Sequence, residues 1–152
     1  MTARVLQASE LKSLVGQDIG TSDWVTIEQE RVDKFAEATG DHQWIHVDPE
    51  RAKDGPFGGT IAHGYLTLSL IPGLAWEVYT VEGARLSINY GLNKLRFITP
   101  VPVGSRVRAH LVLSEVTDVP GDALQVATTV TVELEGAPKP AAVAETLARI
   151  YL

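Results

Sequence analysis

Hydrophobic residues in the second half of this chain recur at every second position, and this pattern begins after Gly83 and continues to the C-terminus. Four series have this period, at 86–97, 106–113, 124–134 and 141–152. Alternation of apolar and polar side chains is typical of a β-strand with one buried face. Because short stretches rich in proline and glycine connect the series, the pattern predicts consecutive antiparallel strands.

The apolar positions of the first series change phase. They are even numbers from 86 to 92, but the next two are Leu95 and Phe97. A shift of one residue turns every side chain to the other face of a sheet, so a continuous strand needs an extra residue here. We therefore expect a β-bulge between Gly91 and Asn93.

Two short helices are predicted in the first half of the chain. Ser9 is placed to cap the first, which Gly16 should end. Asp48 followed by Pro49 is a typical helix start, with the carboxylate as cap and the proline in the first turn.

A longer helix is predicted between these two, after a strand near 18–25. Thr26 and Gln29 have the spacing of a capping box at its start. Gly40 is suited to end it, because glycine readily adopts the left-handed conformation of a helix C-cap.

The segment from Ile61 to Tyr79 has apolar residues on nearly every face of a helix, as expected of a helix surrounded by protein. Pro72 removes one backbone hydrogen bond and should kink or divide this helix. A membrane span is not predicted, because His63, Pro72 and Glu77 interrupt the apolar run.

Helices followed by a strand meander predict the α+β class. An apolar helix packed in the concave face of a curved antiparallel sheet is the hot-dog fold, and we expect this architecture. A chain of 152 residues with 45% hydrophobic residues can form one hydrophobic core. We therefore expect a single domain over residues 1–152.

The composition excludes several function classes. Disulfides, thiolate metal sites and thiol nucleophiles are excluded because the chain has no cysteine. A formal net charge of −6 argues against a nucleic-acid partner. With no cationic leader before an apolar block, we expect a cytoplasmic protein without a membrane partner. Four cations on the predicted strands are candidates for a local basic patch, although such residues more often form a solvated sheet face. They are Lys94, Arg96, Arg106 and Arg108.

Asp41 and His46 are the clearest indication of function in this sequence. They follow the predicted helix end at Gly40 and are five residues apart, so their side chains can converge on one small molecule. One group can take a proton while the other gives one, and activation of a water molecule is the chemistry that we expect.

The segment Gly59-Thr-Ile-Ala-His-Gly64 leads into the apolar helix. Amides around His63 and Gly64 would be among the unpaired donors of its first turn, which can hold an anionic oxygen. Hydration of a double bond conjugated to a thioester needs a base for water, an acid for the α-carbon and donors for the enolate oxygen. The chain offers all three, and this chemistry requires no cofactor.

A metal site is an alternative use of the same loop. His42 and His46 have the four-residue spacing of a helical metal pair, and Asp41 and Asp48 are possible further ligands. The helix that would align them should end at Gly40, however, so we do not expect a metal.

Other motifs argue against further enzyme classes. The loop at 59–64 begins like a phosphate loop, but Tyr65 follows where a lysine is needed. The chain also has no Gly-x-Ser-x-Gly elbow of a serine hydrolase. His63 and His110 are compatible with structural roles, the first at a helix start and the second on an exposed strand face.

Three separated segments resemble a known family when taken together. They read Ala-Thr-Gly-Asp-His-Gln-Trp-Ile-His, Ile-Ala-His-Gly-Tyr-Leu-Thr-Leu and Tyr-Gly-Leu-Asn-Lys-Leu-Arg-Phe-Ile-Thr-Pro-Val-Pro-Val-Gly. In this order they resemble the MaoC-like (R)-specific enoyl-CoA hydratases, and the resemblance extends from about Asp18 to the C-terminus.

The resemblance implies that Asp41 and His46 hold one water for syn addition to a trans-2-enoyl-CoA, while the Gly64 amide binds the thioester oxygen. It also implies a homodimer whose sheets join edge to edge, active sites between the subunits, an acyl-CoA substrate and no metal. By the same resemblance, the region near the CoA channel contains Asn93, Lys94 and Arg96. His63 and Trp44 complete the candidate substrate-binding residues.

Gln43 and Trp44 depart from the family pattern, which has asparagine and proline at these places. The spacing of the dyad is kept, but the loop geometry and the acyl-chain preference need not be. Trp44 is therefore a candidate for lining or shortening the acyl tunnel, or else a core residue.

Two other functions are compatible with these residues. A thioesterase could use the same fold and donors for attack of water on the thioester carbonyl. A non-catalytic acyl-CoA binding subunit could retain the dyad without using it.

Overall fold

The computed structural model describes residues 2–152, in which eight strands, five α-helices and one 3-10 helix are present. The strands are β1 (Arg4–Gln7), β2 (Asp18–Thr21), β3 (Val25–Thr26), β4 (Tyr79–Glu82), β5 (Leu86–Phe97), β6 (Arg106–Val119), β7 (Ala123–Leu134) and β8 (Ala142–Tyr151). The 3-10 helix spans Ala8–Leu14, and the α-helices are α1 (Gln29–Thr39), α2 (Trp44–Val47), α3 (Pro49–Ala52), α4 (Gly64–Ser69) and α5 (Ile71–Val78).

The main sheet is antiparallel and wraps around the central helices. Its strand order is β2-β6-β7-β8-β5, and β3 also pairs with β6. α5 packs on β6 and β2, and it buries Ile71, Leu74 and Val78 in a core with side chains of β6, β7 and β8. The α+β class and the hot-dog fold are thereby confirmed. A parallel pair of β1 and β4, which the sequence pattern did not predict, lies outside this sheet.

β5 contains the predicted bulge and a second one beside it. Its pairing with β8 skips one residue between Asn89 and Gly91 and another between Leu92 and Lys94. The extra residues are Tyr90 and Asn93. Because each bulge changes the face on which the following side chains lie, the two together restore the original phase. Leu95 and Phe97 therefore lie on the opposite face from Leu86 and Ile88, and the expected net shift of one residue was wrong.

The central helix is divided, as Pro72 predicted. α4 ends at Ser69, and α5 begins at Ile71 with the proline in its first turn, where the missing N–H costs least. The predicted bounds were too wide, because helical structure begins only at Gly64. The expectation that protein surrounds every face of this helix was wrong for a single copy of the chain, since Tyr65 and Trp76 are 67% and 68% exposed.

Two of the predicted helix caps are confirmed. Gly40 has a φ of 86° and ends α1, and the Asp48 carboxylate accepts a hydrogen bond from the Arg51 N–H at the start of α3. Ser9 does not cap the first helix, which begins after Gln7 and is of the 3-10 type.

The predicted capping box at the start of α1 was wrong. Thr26 pairs with Arg106 in the sheet, and Glu28 is the cap residue without a side-chain hydrogen bond. The strand expected near 18–25 is correspondingly divided into β2 and β3. Pairing with β6 extends through Thr26 and therefore uses the residue that the local pattern assigned to the cap.

β5 is the edge strand of the sheet, and it is exposed in the single chain on both faces. The large apolar side chains that it exposes are Leu86, Ile88, Tyr90, Leu92 and Phe97. None of the helices within residues 2–152 is long and apolar enough to cross a membrane.

Candidate active site

The loop after α1 presents Asp41 and His46. Gly40 ends the helix, and its N–H donates to the Ala36 carbonyl at 2.8 Å. The Asp41 side chain is exposed, and its Oδ1 accepts a hydrogen bond of 3.3 Å from the Gln43 N–H. His46 lies in α2, a single helical turn that the sequence pattern did not indicate.

A hydrogen bond to the backbone fixes the tautomer of His46. The residue is 6% exposed, and its Nδ1 lies 2.7 Å from the Ile61 carbonyl oxygen. Because a carbonyl can only accept, Nδ1 carries the proton. In the neutral ring, Nε2 therefore has a free lone pair that can accept a proton.

Burial is the main influence on the charge of His46. It lowers the pKa of His46 below the usual 6.5, and neighbouring His63 lowers this pKa further. The Ile61 carbonyl and the Asp41 carboxylate act in the opposite direction and raise the pKa. The net shift is downward, so the ring is neutral at pH 7 and can serve as a base.

His63 lies against His46 and is connected to Asp41. The two imidazole rings stack with centroids 3.9 Å apart and planes at 24°. His63 Nε2 donates to the backbone carbonyl of Asp41 at 2.9 Å. A carboxylate oxygen of Asp41 and one ring nitrogen of each histidine all lie within 4.8 Å of one another.

This separation suits a shared water molecule. Two hydrogen bonds of about 2.8 Å that meet at one water span about 4.5 Å. The side chains of Asp41 and His46 therefore converge as the sequence predicted, whereas their catalytic role stays a prediction.

The same three residues are of the types that bind Zn²⁺, but the rings are poorly arranged for it. Histidine binds a metal through a lone pair in the ring plane. In stacked rings these lone pairs lie in two nearly parallel planes and do not converge on one ion. Within residues 2–152, His42 and Asp48 are not part of such a cluster, and Asp48 instead caps α3.

Gly64 is the first residue of α4, directly after His63. Its N–H belongs to the first helical turn and donates to no backbone carbonyl in residues 2–152. The Phe97 ring of β5 covers the backbone here so closely that a Cβ on Gly64 would lie 2.8 Å from Cδ2 of that ring. Glycine thus permits the close approach of β5 to the helix start.

A cavity of about 780 Å³ lies between the central helices and the concave face of the sheet. Its wall includes Leu68 of α4, Pro72 and Ala75 of α5, and side chains of β5, β7 and β8. Among residues 2–152, the phenols of Tyr79 and Tyr90 are the only titratable side chains that line it. Leu68 lies near the C-terminal end of α4, so the cavity begins about one helical turn beyond Gly64.

Comparison with known proteins identifies the family. Residues 10–135 match the MaoC like domain family. The 3-hydroxyacyl-thioester dehydratase Z of Mycobacterium tuberculosis is 59% identical over 141 residues, which are 93% of each chain. The chain belongs to the MaoC-like dehydratase family.

Solved structures agree with this assignment. The (R)-hydratase from A. caviae involved in PHA biosynthesis has a TM-score of 0.71 and 27% identity, covering 88% of this chain and 94% of its own. R-hydratase PhaJ1 from Pseudomonas aeruginosa has a TM-score of 0.69 and 28% identity, covering 90% of this chain and 81% of its own. Since hydration and dehydration are two directions of one reaction, this MaoC-like chain is a hydro-lyase.

The remaining predicted site residues lie outside the Asp41–His46–His63 cluster. Trp44 packs against Gly55, and the Arg51 guanidinium lies over the Trp44 ring, 4.2 Å from the ring centroid. Trp44 is not among the residues that line the large cavity. The predicted CoA-binding residues lie on exposed β5; they are Asn93, Lys94 and Arg96. Within residues 2–152, none of them forms a hydrogen bond or an ion pair with the cluster. Their substrate-binding roles stay predictions.

The four cations considered as a basic patch do not form one surface in this MaoC-like chain. Lys94 and Arg96 lie on β5, whereas Arg106 and Arg108 lie on β6, and two strands separate β5 from β6. The latter two pair with Glu135 and Glu133. His110, predicted to be a surface residue, pairs with Asp18 at 3.0 Å.

Sequence reasoning missed Gln29 as a residue that shapes the site. Its side-chain amide donates to the His46 carbonyl at 2.8 Å, and its Oε1 accepts from the Thr60 hydroxyl at 2.6 Å. Gln29 thereby connects α1 to both segments that carry the histidines. The helix-start pattern suggested a local cap for this side chain, and nothing in the spacing indicated these distant partners.

Proposed function

We propose that the protein is an (R)-specific enoyl-CoA hydratase, which adds water to trans-2-enoyl-CoA and yields (3R)-3-hydroxyacyl-CoA. The observation that supports it most is that a carboxylate oxygen of Asp41 and a ring nitrogen of neutral His46 lie within 4.8 Å of each other, a span that one water can bridge. The names of its relatives, a 3-hydroxyacyl-thioester dehydratase and two R-hydratases, agree with this reaction. The proposal assigns the protein to cytoplasmic fatty acid metabolism.

His46 and Asp41 act on the same water in this mechanism. His46 Nε2 takes one proton from the water, while the Asp41 carboxylate accepts a hydrogen bond from the other O–H. The water oxygen bonds to C3, and the electrons of the C2–C3 double bond move toward the thioester carbonyl. His46 then returns its proton to C2, so that one molecule of water has been added on one face.

Negative charge on the thioester oxygen needs hydrogen-bond donors. The Gly64 N–H is next to His63 and is unpaired by the backbone, so it is suited to this oxygen. One such donor typically contributes about 10² to 10³ in rate, and a general acid–base group about 10² to 10⁴. The residues of the chain supply these effects without a metal or another cofactor.

The cavity beside α4 is the site that we propose for the acyl chain. Its volume of about 780 Å³ is within the range of ligand pockets, and its wall offers apolar side chains together with neutral polar groups. A neutral acyl chain fits this lining.

A homodimer completes the proposal. The apolar side chains on the exposed edge strand β5 would be covered if two copies joined their sheets along it. The active sites would then lie between the subunits. Lys94 and Arg96 would supply positive charge for the CoA phosphates, with Asn93 beside them.

The test is incubation of purified protein with crotonyl-CoA and longer trans-2-enoyl-CoAs. We expect the absorbance of the conjugated thioester to decrease and the (3R) product to be identified by chiral analysis. Absence of turnover at every chain length would refute the proposal.

The same assay separates the two other functions. A thioesterase would release free CoA thiol, which a thiol reagent detects. A binding subunit would retain acyl-CoA without converting it, and its binding would be unchanged by Asp41→Asn and His46→Gln.

A further inference from the structure

His63 is a buried titratable residue that the proposed proton transfers do not use. The residue is 2% exposed, and its ring contacts two others, with its centroid 4.9 Å from that of Phe35 and 3.9 Å from that of His46. These contacts fix the plane of the ring. The orientation of His63 is therefore a property of the packed site.

The hydrogen bond of His63 reaches the backbone of the other half of the site. Its Nε2 donates to the Asp41 carbonyl oxygen at 2.9 Å, a contact between residues 22 positions apart. His63 is also the cap residue of α4 and the covalent neighbour of Gly64. One side chain thus contacts the backbone of Asp41 and the ring of His46, and it adjoins the candidate oxyanion donor.

The other ring nitrogen shows what histidine provides here. With the proton on Nε2, Nδ1 of the neutral ring is an acceptor, and it is buried without a partner within residues 2–152. An unpaired buried acceptor is unfavourable. Phenylalanine would fill the same space without this cost, so the N–H donated to Asp41 is the feature for which a histidine is needed.

We propose that His63 is a positioning residue, which holds the Asp41 backbone and the His46 ring in the arrangement where both reach one water. This inference rests on the proposed hydratase function. His63 transfers no proton itself. Its effect is on rate, because small displacements of groups around a reacting water reduce turnover far more than they reduce substrate binding.

Three substitutions separate the hydrogen bond from the packing. His63→Phe keeps a ring against His46 but removes the donor. His63→Gln places an amide N–H near the position of Nε2, whereas His63→Asn has the same amide on a side chain too short to reach the Asp41 carbonyl. His110→Phe and His110→Gln are matched controls, because His110 lies on β6, outside the site, where it pairs with Asp18 of β2.

We expect kcat to decrease about 10- to 100-fold in His63→Phe and His63→Asn, with KM changed less than about 3-fold. His63→Gln should recover kcat to within about 5-fold of the wild type, and the His110 variants should match the wild type. Unchanged kcat in His63→Asn would overturn the inference. So would a loss in His63→Gln as large as that in His63→Asn.

An NMR measurement keeps this inference separate from the proposed function. If wild-type protein converts no enoyl-CoA, the hydratase proposal fails, and positioning is then read from the resonances of the Asp41 amide and the His46 ring. We expect both to shift in His63→Asn and to stay near their wild-type positions in His63→Gln. Unshifted resonances in His63→Asn would overturn the inference. If His63→Phe does not fold, the comparison of glutamine with asparagine still decides.

Discussion

The Phe97 ring lies on the backbone of Gly64, so close that a Cβ at this glycine would be 2.8 Å from Cδ2 and 2.9 Å from Cε2 of the ring. Separations below 3.0 Å essentially never occur for real Cβ atoms, so a larger residue requires the ring or the helix start to move. The contact joins the edge strand β5 to the start of α4, which carries the candidate oxyanion donor.

We expect Gly64→Ala to destabilise the protein by about 1–3 kcal/mol and to decrease kcat at least about 10-fold, because the Cβ displaces the amide. Thermal unfolding and crotonyl-CoA turnover measure the two effects. Gly73→Ala is the matched control in α5, where nothing lies within 4 Å of the added Cβ. The double variant Gly64→Ala with Phe97→Leu should regain stability, and its failure to do so would contradict the packing explanation.

Substitution of the water-activating pair should affect the rate of the chemical step. We expect Asp41→Asn and His46→Gln each to decrease kcat by about 10² to 10⁴, with small changes in KM. His42→Gln is the control, since His42 is exposed in the same loop. Wild-type turnover in both site variants would show that water is activated elsewhere.

The lowered pKa of His46 predicts the pH dependence of activity. Because burial keeps the ring neutral, kcat/KM should stay constant as the pH falls to 6.5 and decrease only at lower pH. A pH–rate profile checks this. A decrease that begins well above pH 6.5 would contradict the neutral-base mechanism.

The same pKa shift predicts a change of stability with pH. The pKa of His46 is lower in the folded chain than the usual 6.5, so the unfolded chain binds this proton first as the pH falls. The free energy of unfolding is therefore unaffected by protonation of His46 above about pH 6.5, and it decreases as the pH falls from there toward the pKa of His46 in the folded chain. Denaturant unfolding at several pH values should show this loss in wild type and a smaller one in His46→Gln.

A larger side chain in the cavity should change the preferred chain length. Ala75 lines the cavity from α5, and Ala75→Phe would fill part of its volume. We expect turnover of long enoyl-CoAs to decrease at least about 10-fold, while crotonyl-CoA is affected little. An equal loss at every chain length would show that the acyl chain binds elsewhere.

A charge on the exposed face of β5 should prevent association of two copies. Ile88 is 49% exposed, and Ile88→Lys should shift the protein from dimer to monomer in sedimentation. Val5→Lys is the control, since Val5 is 63% exposed on β1. A dimer that persists in Ile88→Lys would exclude this edge as the interface.

Local patterns were sufficient to predict most of the fold. The period of two identified the four long strands, and Pro72 predicted the division of the central helix. Gly40 predicted the end of α1, and Asp48 predicted the start of α3. These features depend on neighbours in the chain, whose geometry is set by side-chain period and backbone conformation. The capping box at Thr26 failed because pairing with β6 competed for that residue.

The site was predictable in its residues and not in its arrangement. Asp41 and His46 were evident from their types and their position after a helix end. Their approach to His63, the Ile61 carbonyl that fixes the tautomer of His46, and the bridging amide of Gln29 all join segments 15 or more residues apart.

The sequence by itself determined which chemistry was available: a carboxylate, an imidazole and a glycine at a helix start, on a chain whose periods predict helices wrapped by a sheet. Only the tertiary structure decided which nitrogen of His46 is free, that His63 stacks on it, and that Phe97 closes over Gly64. The reason is physical. Residue types and short-range spacing act through local backbone geometry, whereas burial, ring stacking and hydrogen bonds to distant carbonyls exist only after the chain has packed.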